Sequence, residues 1–328
     1  MSILYLIQDG AVIRRRSESL VVEDRDGKIL LNLESRRVEC VCMLASVQAT
    51  TAAVVELLRR GVTLAILSAS GQLLGMISPP LSGNGQLRTA QYRMERDPAF
   101  ALARGREIIA AKIHNQRQVL TGHLYERDGE DPAVARVVDQ LRSLEESAGR
   151  AESVGALRGV EGAAARAYWS VFGNMLRVDG LTFRGRTAHP ATDPVNAALS
   201  FGYSLLTRRI AGLAEAVGFD PFVGFLHEMA PGRPSLALDL MEPFRAPVVD
   251  RMVVSRFNRR ILKPEHFVTL EEGEVRFVPD ALKIFFREWE QAHHKMDVKH
   301  RYREQVEAYR DLLLGRRQSL SPWRWSAR

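Results

Sequence analysis

The chain has 328 residues, 46% of them hydrophobic, with 46 Lys and Arg against 39 Asp and Glu for a formal charge of +7. That length allows two domains with sizeable cores. No apolar run approaches the roughly 20 residues of a membrane span, which excludes a helical membrane protein. The start, Met1-Ser2-Ile3-Leu4-Tyr5, lacks a basic stretch followed by an apolar one, so no signal peptide and a cytoplasmic location are expected. The only two cysteines, Cys40 and Cys42, fall on one face of a predicted strand. With no second Cys/His pair at zinc spacing, they read as buried thiols.

Residues 1–78 carry the strand signals. Val12 to Val22 alternates around Arg14-Arg15-Arg16, and Asp26-Gly27 is a hairpin-type turn. Val38 to Leu44, Val62 to Leu67 and Leu73 to Ile77 are short apolar runs. Between them Thr50 to Arg60 has helical spacing, closed by Gly61. Pro79 to Gly85 is uncharged and helix-poor, which predicts a linker over 79–85. Its glycines are not a phosphate loop, since no Gly-Lys-Ser/Thr follows.

From Gln86 onward the period is helical. Gln86 to Leu120 predicts one or two helices, Gly122 to Pro132 a polar loop, and Val134 to Arg150 a further helix. Leu157, Val160, Ala164, Ala167, Tyr168, Val171, Phe172, Met175 and Leu176 form a 3.6-residue stripe with Glu161 on its border. Arg177 to Asp193 is a basic loop. Asp193-Pro194 then caps and starts a helix running to Gly218. Val268 to Val278 is hairpin-like, and the chain continues into a long basic helix and the sequence Pro322-Trp323-Arg324-Trp325. The fold class predicted is α+β: a β-rich domain with one helix over 1–78, joined to an all-α domain over 86–328.

Charge follows the same division. Residues 1–85 hold nine Lys/Arg against eight Asp/Glu, so nearly all the excess lies beyond them. A basic helical body suits a polyanion such as DNA or RNA.

Asp239 and Glu242 are three apart, so a helix puts both carboxylates on one face, with Ser235 a natural N-cap after Pro231-Gly232-Arg233-Pro234. His227, at the end of the preceding apolar run, can lean over that face. An imidazole with several carboxylates suits a divalent ion such as Mn²⁺, and in so basic a protein its substrate would be a phosphodiester. His227-Glu228 opens like a zinc-protease motif, but Pro231 stands where the second His belongs. His293, His294 and His300 lie among Lys295, Lys299 and Arg301 and read as basic surface. No Gly-x-Ser-x-Gly elbow or Cys/His pair suggests acyl transfer.

Three ordered stretches carry a resemblance. They are Gly159 to Tyr168 (GVEGAAARAY), Asp193 to Tyr203 (DPVNAALSFGY) and His227 to Arg245. Together with Gln91-Tyr92-Arg93 and Ala111 to Arg117 (AKIHNQR), they resemble the CRISPR-associated endonuclease one family, the integrase subunit of CRISPR adaptation. The third stretch is most similar to the type I subtype C or B branches.

The resemblance implies Glu161, His227 and Glu242 as ligands of Mn²⁺ or Mg²⁺. It implies Asp239 as the adjacent catalytic carboxylate, with the choice of direct ligand between Asp239 and Glu242 open. Many relatives carry Asp where this chain has Glu242. The implied activity is insertion of short DNA fragments as spacers by transesterification from a 3′-hydroxyl. The implied partners are double-stranded DNA (prespacer and repeat–leader), a second copy of the chain through the β domain, and a dimer of CRISPR-associated protein two, together a heterohexamer. Arg166, Arg184, Arg233 and Arg245 are candidates for DNA contact and for charge stabilisation in the transition state. Rival readings are a general metal-dependent nuclease on branched DNA and a non-catalytic DNA-binding scaffold.

Overall fold

The computed structural model describes residues 2–44, 46–68, 73–79, 84–178, 180–181, 183–187 and 190–327. It forms two compact units, Met1–Leu81 with Phe277–Phe286, and Ser82–Arg276 with Arg287–Arg328. The predicted linker falls mostly outside the described residues, at 80–83.

The first unit holds two four-stranded sheets. In one, β1 (Ser2–Leu6), β5 (Val38–Leu44), β7 (Thr63–Leu67) and β8 (Leu73–Ile77) lie in that order, the first three parallel and β8 antiparallel. In the other the order is β4 (Ile29–Glu34), β3 (Ser19–Glu23), β2 (Val12–Arg16) and β6 (Gln48–Ala49). Leu6, Ile13, Leu20, Val41, Leu57 and Leu64 belong to one buried cluster. Helix α1 (Thr51–Arg59) is capped by Thr50, whose hydroxyl accepts from Ala53 N. It ends before Gly61 at φ +74°, a conformation glycine takes without a Cβ clash.

Val12 to Val22, expected as one alternating strand, is instead a hairpin, because Ser17 takes φ +54° and turns the chain between β2 and β3. Arg14 and Arg16 both pair with Glu23 across it. Cys40 and Cys42 are half-buried on β5, and neither is in a disulfide. The single boundary read at 79–85 did not anticipate that Phe277–Phe286 joins this unit, where the Phe286 ring stacks on Tyr5 at 4.0 Å.

The second unit is mainly helical. It contains α2 (Gly85–Glu95), α3 (Pro98–Tyr125), α4 (Pro132–Arg150), α5 (Val154–Phe172), α6 (Pro194–Val217), α7 (Ser235–Phe244) and α8 (Arg251–Asn258). Strands β9 (Phe267–Thr269) and β10 (Val275–Phe277) pair as the hairpin-like segment requires, and α9 (Pro279–Met296), whose residues up to Phe286 belong to the first unit, and α10 (Lys299–Leu313) follow. Three helices begin the same way: Asp97-Pro98, Asp131-Pro132 and Asp193-Pro194 each place Asp at the N-cap, accepting a backbone N–H, and Pro at the first helical position. The first of these is what divides Gln86 to Leu120 into two helices.

Helix α3 runs through the middle of this unit and packs on α4, α5 and α7. Ile108, Ile109, Ala111, Ile113, Asn115 and Leu120 are buried along it. Asn115 donates to the carbonyls of Pro243 (2.5 Å) and Trp323 (3.0 Å) and accepts from Trp325 N (2.7 Å), tying α7 and the segment 323–325 to α3. The expected single basic helix near residue 300 is two, broken where Asp297 turns at φ +47°. His293, expected at the basic surface, is fully buried between Trp289 O and the Tyr302 hydroxyl, both at 2.8 Å. Burial pushes its pKa down to about 3. Among the described residues no helix is long and apolar enough to cross a membrane.

Candidate active site

Three segments of the second unit bring the predicted residues together, and a fourth adds Lys112. Helix α3 contributes Lys112, α5 contributes Glu161, the irregular run after α6 contributes His227, and α7 contributes Asp239 and Glu242. Glu161 sits on the α5 border with its side chain 25% exposed, as the stripe required, while Glu242 is 1% exposed. The Lys112 ammonium lies 2.5 Å from Glu161 Oε1 and 2.8 Å from Glu242 Oε2. The second contact is an ion pair by distance only, and Glu242 Oε2 makes no directed hydrogen bond. The other oxygen, Oε1, accepts from Arg245 Nη1 at 2.9 Å and lies 3.9 Å from His227 Nε2.

Asp239 is fully buried and saturated. Its Oδ2 accepts from Phe225 N (2.7 Å) and Leu226 N (3.0 Å), and its Oδ1 from His227 N (2.9 Å) and His227 Nδ1 (2.6 Å). All four lone-pair positions of the Asp239 carboxylate are thus taken by donors. It fixes the 225–227 turn and the imidazole, leaving Nε2 as the outward nitrogen. Orientation of a ligating histidine by a carboxylate on its other nitrogen is the common arrangement around metals.

The approach of that turn to Asp239 requires Gly224: a Cβ there would stand 2.5 Å from Asp239 Oδ2 and 2.8 Å from Ser235 C. Ser235 is not the N-cap expected. Pro234 takes that position, and the Ser235 hydroxyl donates to Glu228 O at 3.0 Å.

Arg245, a candidate for DNA contact and charge stabilisation, pairs with Glu242, and its guanidinium lies 4.2 Å from the centre of the Tyr203 ring. The Tyr203 hydroxyl donates to buried Asp250, as does Tyr168 at 3.0 Å. Arg166, Arg184 and Arg233 are exposed.

The charges settle accordingly. Burial raises the Glu242 pKa, but Arg245, Lys112 and His227 outweigh it and hold the carboxyl down at about 2. Burial lowers the Lys112 pKa, and Glu242 and Glu161 more than reverse that. His227 is raised likewise: burial works against the cation, while Asp239 and Glu242 favour it.

Among the described residues, no three His, Cys, Asp or Glu side chains stand close enough to hold a metal as they are. The donor chemistry nevertheless fits one: two carboxylate oxygens converge on a single cation, one of them buried without a directed hydrogen bond, beside an oriented imidazole nitrogen. The cation found at the point of convergence is the Lys112 ammonium. Lys112 lies within the Ala111 to Arg117 stretch, but a lysine does not announce itself in a sequence as a partner of metal-ligating carboxylates.

Comparison with known proteins identifies the family. The family model described as CRISPR associated protein Cas1 matches residues 4–291, and the chain belongs to the Cas1 family. It is 36% identical over 313 residues to CRISPR-associated endonuclease Cas1 2 of Rhodospirillum rubrum, covering 93% of this chain and 90% of that one. A casposase bound to its integration product has the same fold, with a TM-score of 0.81 at 24% identity, covering 100% of this chain and 95% of the other. So does a chain of a Cas6-RT-Cas1–Cas2 complex, with a TM-score of 0.82 at 23% identity, over 98% of this chain and 36% of the other.

Proposed function

We propose that this protein is a divalent-metal-dependent DNA endonuclease and integrase that inserts short duplex fragments as new spacers into a CRISPR array. The observation that carries the reading is the convergence of Glu161 and Glu242 from two helices on one cation position, with His227 Nε2 3.9 Å from Glu242. Glu161, His227 and Glu242 would hold Mn²⁺ or Mg²⁺. Bound there, such an ion polarises a phosphoryl oxygen and eases deprotonation of the attacking 3′-hydroxyl.

The chain's own groups do the rest. Asp239 holds Nδ1–H, so the neutral imidazole presents Nε2. Arg245 fixes Glu242 Oε1 and, being held by Glu242 and Tyr203, serves the site from inside. Arg166, Arg184 and Arg233 are exposed and free to meet phosphates. In the reaction the 3′-oxygen bonds to the target phosphorus as the original 3′-oxygen leaves, one ester replacing another.

Membership of the Cas1 family favours a cytoplasmic protein acting with a dimer of the small partner Cas2 in a heterohexamer, with prespacer and repeat–leader DNA as substrates. Dimerisation through the first unit is supported by its sheet edges. On edge strand β8, Leu74 is 61% and Met76 39% exposed, and on edge strand β4, Ile29 is 49% and Leu30 46% exposed. Exposed apolar edges need covering.

The test is joining of a short duplex to a repeat-containing plasmid with Mn²⁺ or Mg²⁺ and Cas2. Glu161→Ala, His227→Ala and Glu242→Ala should each lower joining at least about 10²-fold, the scale of a lost transition-state contact. Wild-type joining by His227→Ala would refute the site. Cutting of branched DNA without joining would leave a general nuclease, and binding with no chemistry a scaffold.

A further inference from the structure

We infer that Lys112 is a resident counter-cation, which holds Glu161 and Glu242 together in the metal-free protein and is exchanged for the divalent ion. The inference rests on the reading of Glu161, His227 and Glu242 as metal ligands. The two carboxylates come from different helices, α5 and α7, and have no covalent reason to meet. They meet on one ammonium, at 2.5 and 2.8 Å, with the Lys112 side chain only 12% exposed. Removing that charge would leave two carboxylates facing each other in a poorly solvated site, where repulsion is much stronger than in water.

Glu161 and Glu242 would hold a divalent ion through the same carboxylates that the ammonium now occupies. Lysine and metal would therefore compete for them. Lysine suits such an exchange: its compact charge rides on a flexible four-carbon stem, whereas an arginine fork would be fixed in place. Among the described residues no three ligand side chains stand close enough to hold a metal as they are, which fits carboxylates gathered around an ammonium. Once displaced, the Nζ cation would be available to the negative charge of a DNA phosphate.

The test uses the full-length protein and Mn²⁺ alone, without DNA. Mn²⁺ affinity is measured by titration calorimetry, and thermal stability with and without Mn²⁺, for wild type, Lys112→Met, Lys112→Gln and Glu242→Ala. Both Lys112 variants should bind Mn²⁺ at least about tenfold more tightly than wild type. Their melting temperature should fall without metal and recover with it, because ligand binding to the native state stabilises by mass action. A variant that folds only in Mn²⁺ supports the exchange equally. Variants that bind Mn²⁺ no better than wild type, or fold in neither condition, overturn it. Glu242→Ala separates the two levels. If it binds Mn²⁺ as wild type does, the ligand assignment itself fails; if it loses Mn²⁺ while the Lys112 variants gain nothing, only the exchange fails.

Discussion

Replacing Asp239 by Asn is the sharpest test of how the site is built. The change is nearly isosteric, so its effect comes from one oxygen becoming an N–H₂ donor. With the amide nitrogen at the Oδ2 position, Phe225 N and Leu226 N lose their acceptor. Each buried orphan costs about 1–3 kcal/mol, so this arrangement costs about 2–6 kcal/mol. With the nitrogen at the Oδ1 position, His227 N is orphaned at about 1–3 kcal/mol, and Nδ1 can escape by becoming the acceptor. That arrangement is cheaper and should prevail, but it moves the imidazole proton to Nε2, the nitrogen a metal requires. Asp239→Asn should therefore lose about 1–3 kcal/mol of stability in urea denaturation. It should also lose at least about 10²-fold in strand joining, as expected of a catalytic histidine held in the wrong tautomer. A residue that served only as a metal ligand would behave differently: its loss would weaken metal binding and leave the metal-free protein as stable as before. Wild-type stability together with impaired Mn²⁺ binding would refute the orienting role.

Three other outcomes are expected. Affinity for a short DNA duplex, followed by fluorescence anisotropy, should fall with salt at a log–log slope steeper than about −3, since each neutralised phosphate contributes roughly −0.9; a flat response would refute the basic-surface reading. His293 is neutral in the fold, with a pKa near 3, so the unfolded chain alone takes up its proton as pH drops below about 6.5. Stability should then fall by about 2 kcal/mol between pH 6.5 and 5, and His293→Gln should lack that part of the loss; equal losses by urea midpoint would refute it. Leu74→Glu with Met76→Glu should convert a dimer to monomer in sedimentation with the melting temperature kept, because both side chains are exposed on an edge strand; an unchanged dimer would place the interface elsewhere.

Much of the fold is legible because its signals are local. Thr50, Asp193-Pro194 and Gly218 mark helix ends by backbone chemistry that needs no partner, and α1 and α6 lie where they predict. The Leu157 to Phe172 stripe likewise gives α5 with Glu161 on its margin. What escapes is non-local. His293 has charged sequence neighbours, yet a helical turn points it at Trp289 and Tyr302. The place of residues 277–286 depends on Tyr5, far away in the chain. Asn115 reads as an ordinary helix-surface amide until Pro243, Trp323 and Trp325 surround it. Gly224 and Lys112 matter only through what approaches them.

The stretch after Glu242 shows why a site can be found in a sequence without being understood from it. Two prolines, Pro243 and Pro247, would ordinarily end a helix, since each removes a backbone donor. Here the chain stays helical by widening into a π-helix over Arg245–Asp250. Such widened turns often mark functional sites. The Pro243 carbonyl is taken by Asn115 at 2.5 Å. The widened turn carries Asp250 under the Tyr168 and Tyr203 hydroxyls, and Tyr203 in turn backs Arg245. Two buried carboxylates on one helical rod thus meet opposite fates. Glu242, ringed by Arg245, Lys112 and His227, is held at a pKa of about 2. Asp250 is raised by burial to about 6, against the pull of its tyrosines and of Arg245 and Arg186. Glu242 is an anion facing a cation position, while Asp250 pins the aromatic ring that holds Arg245. The sequence, which shows two acidic residues eight apart, contains no local feature that tells these roles apart.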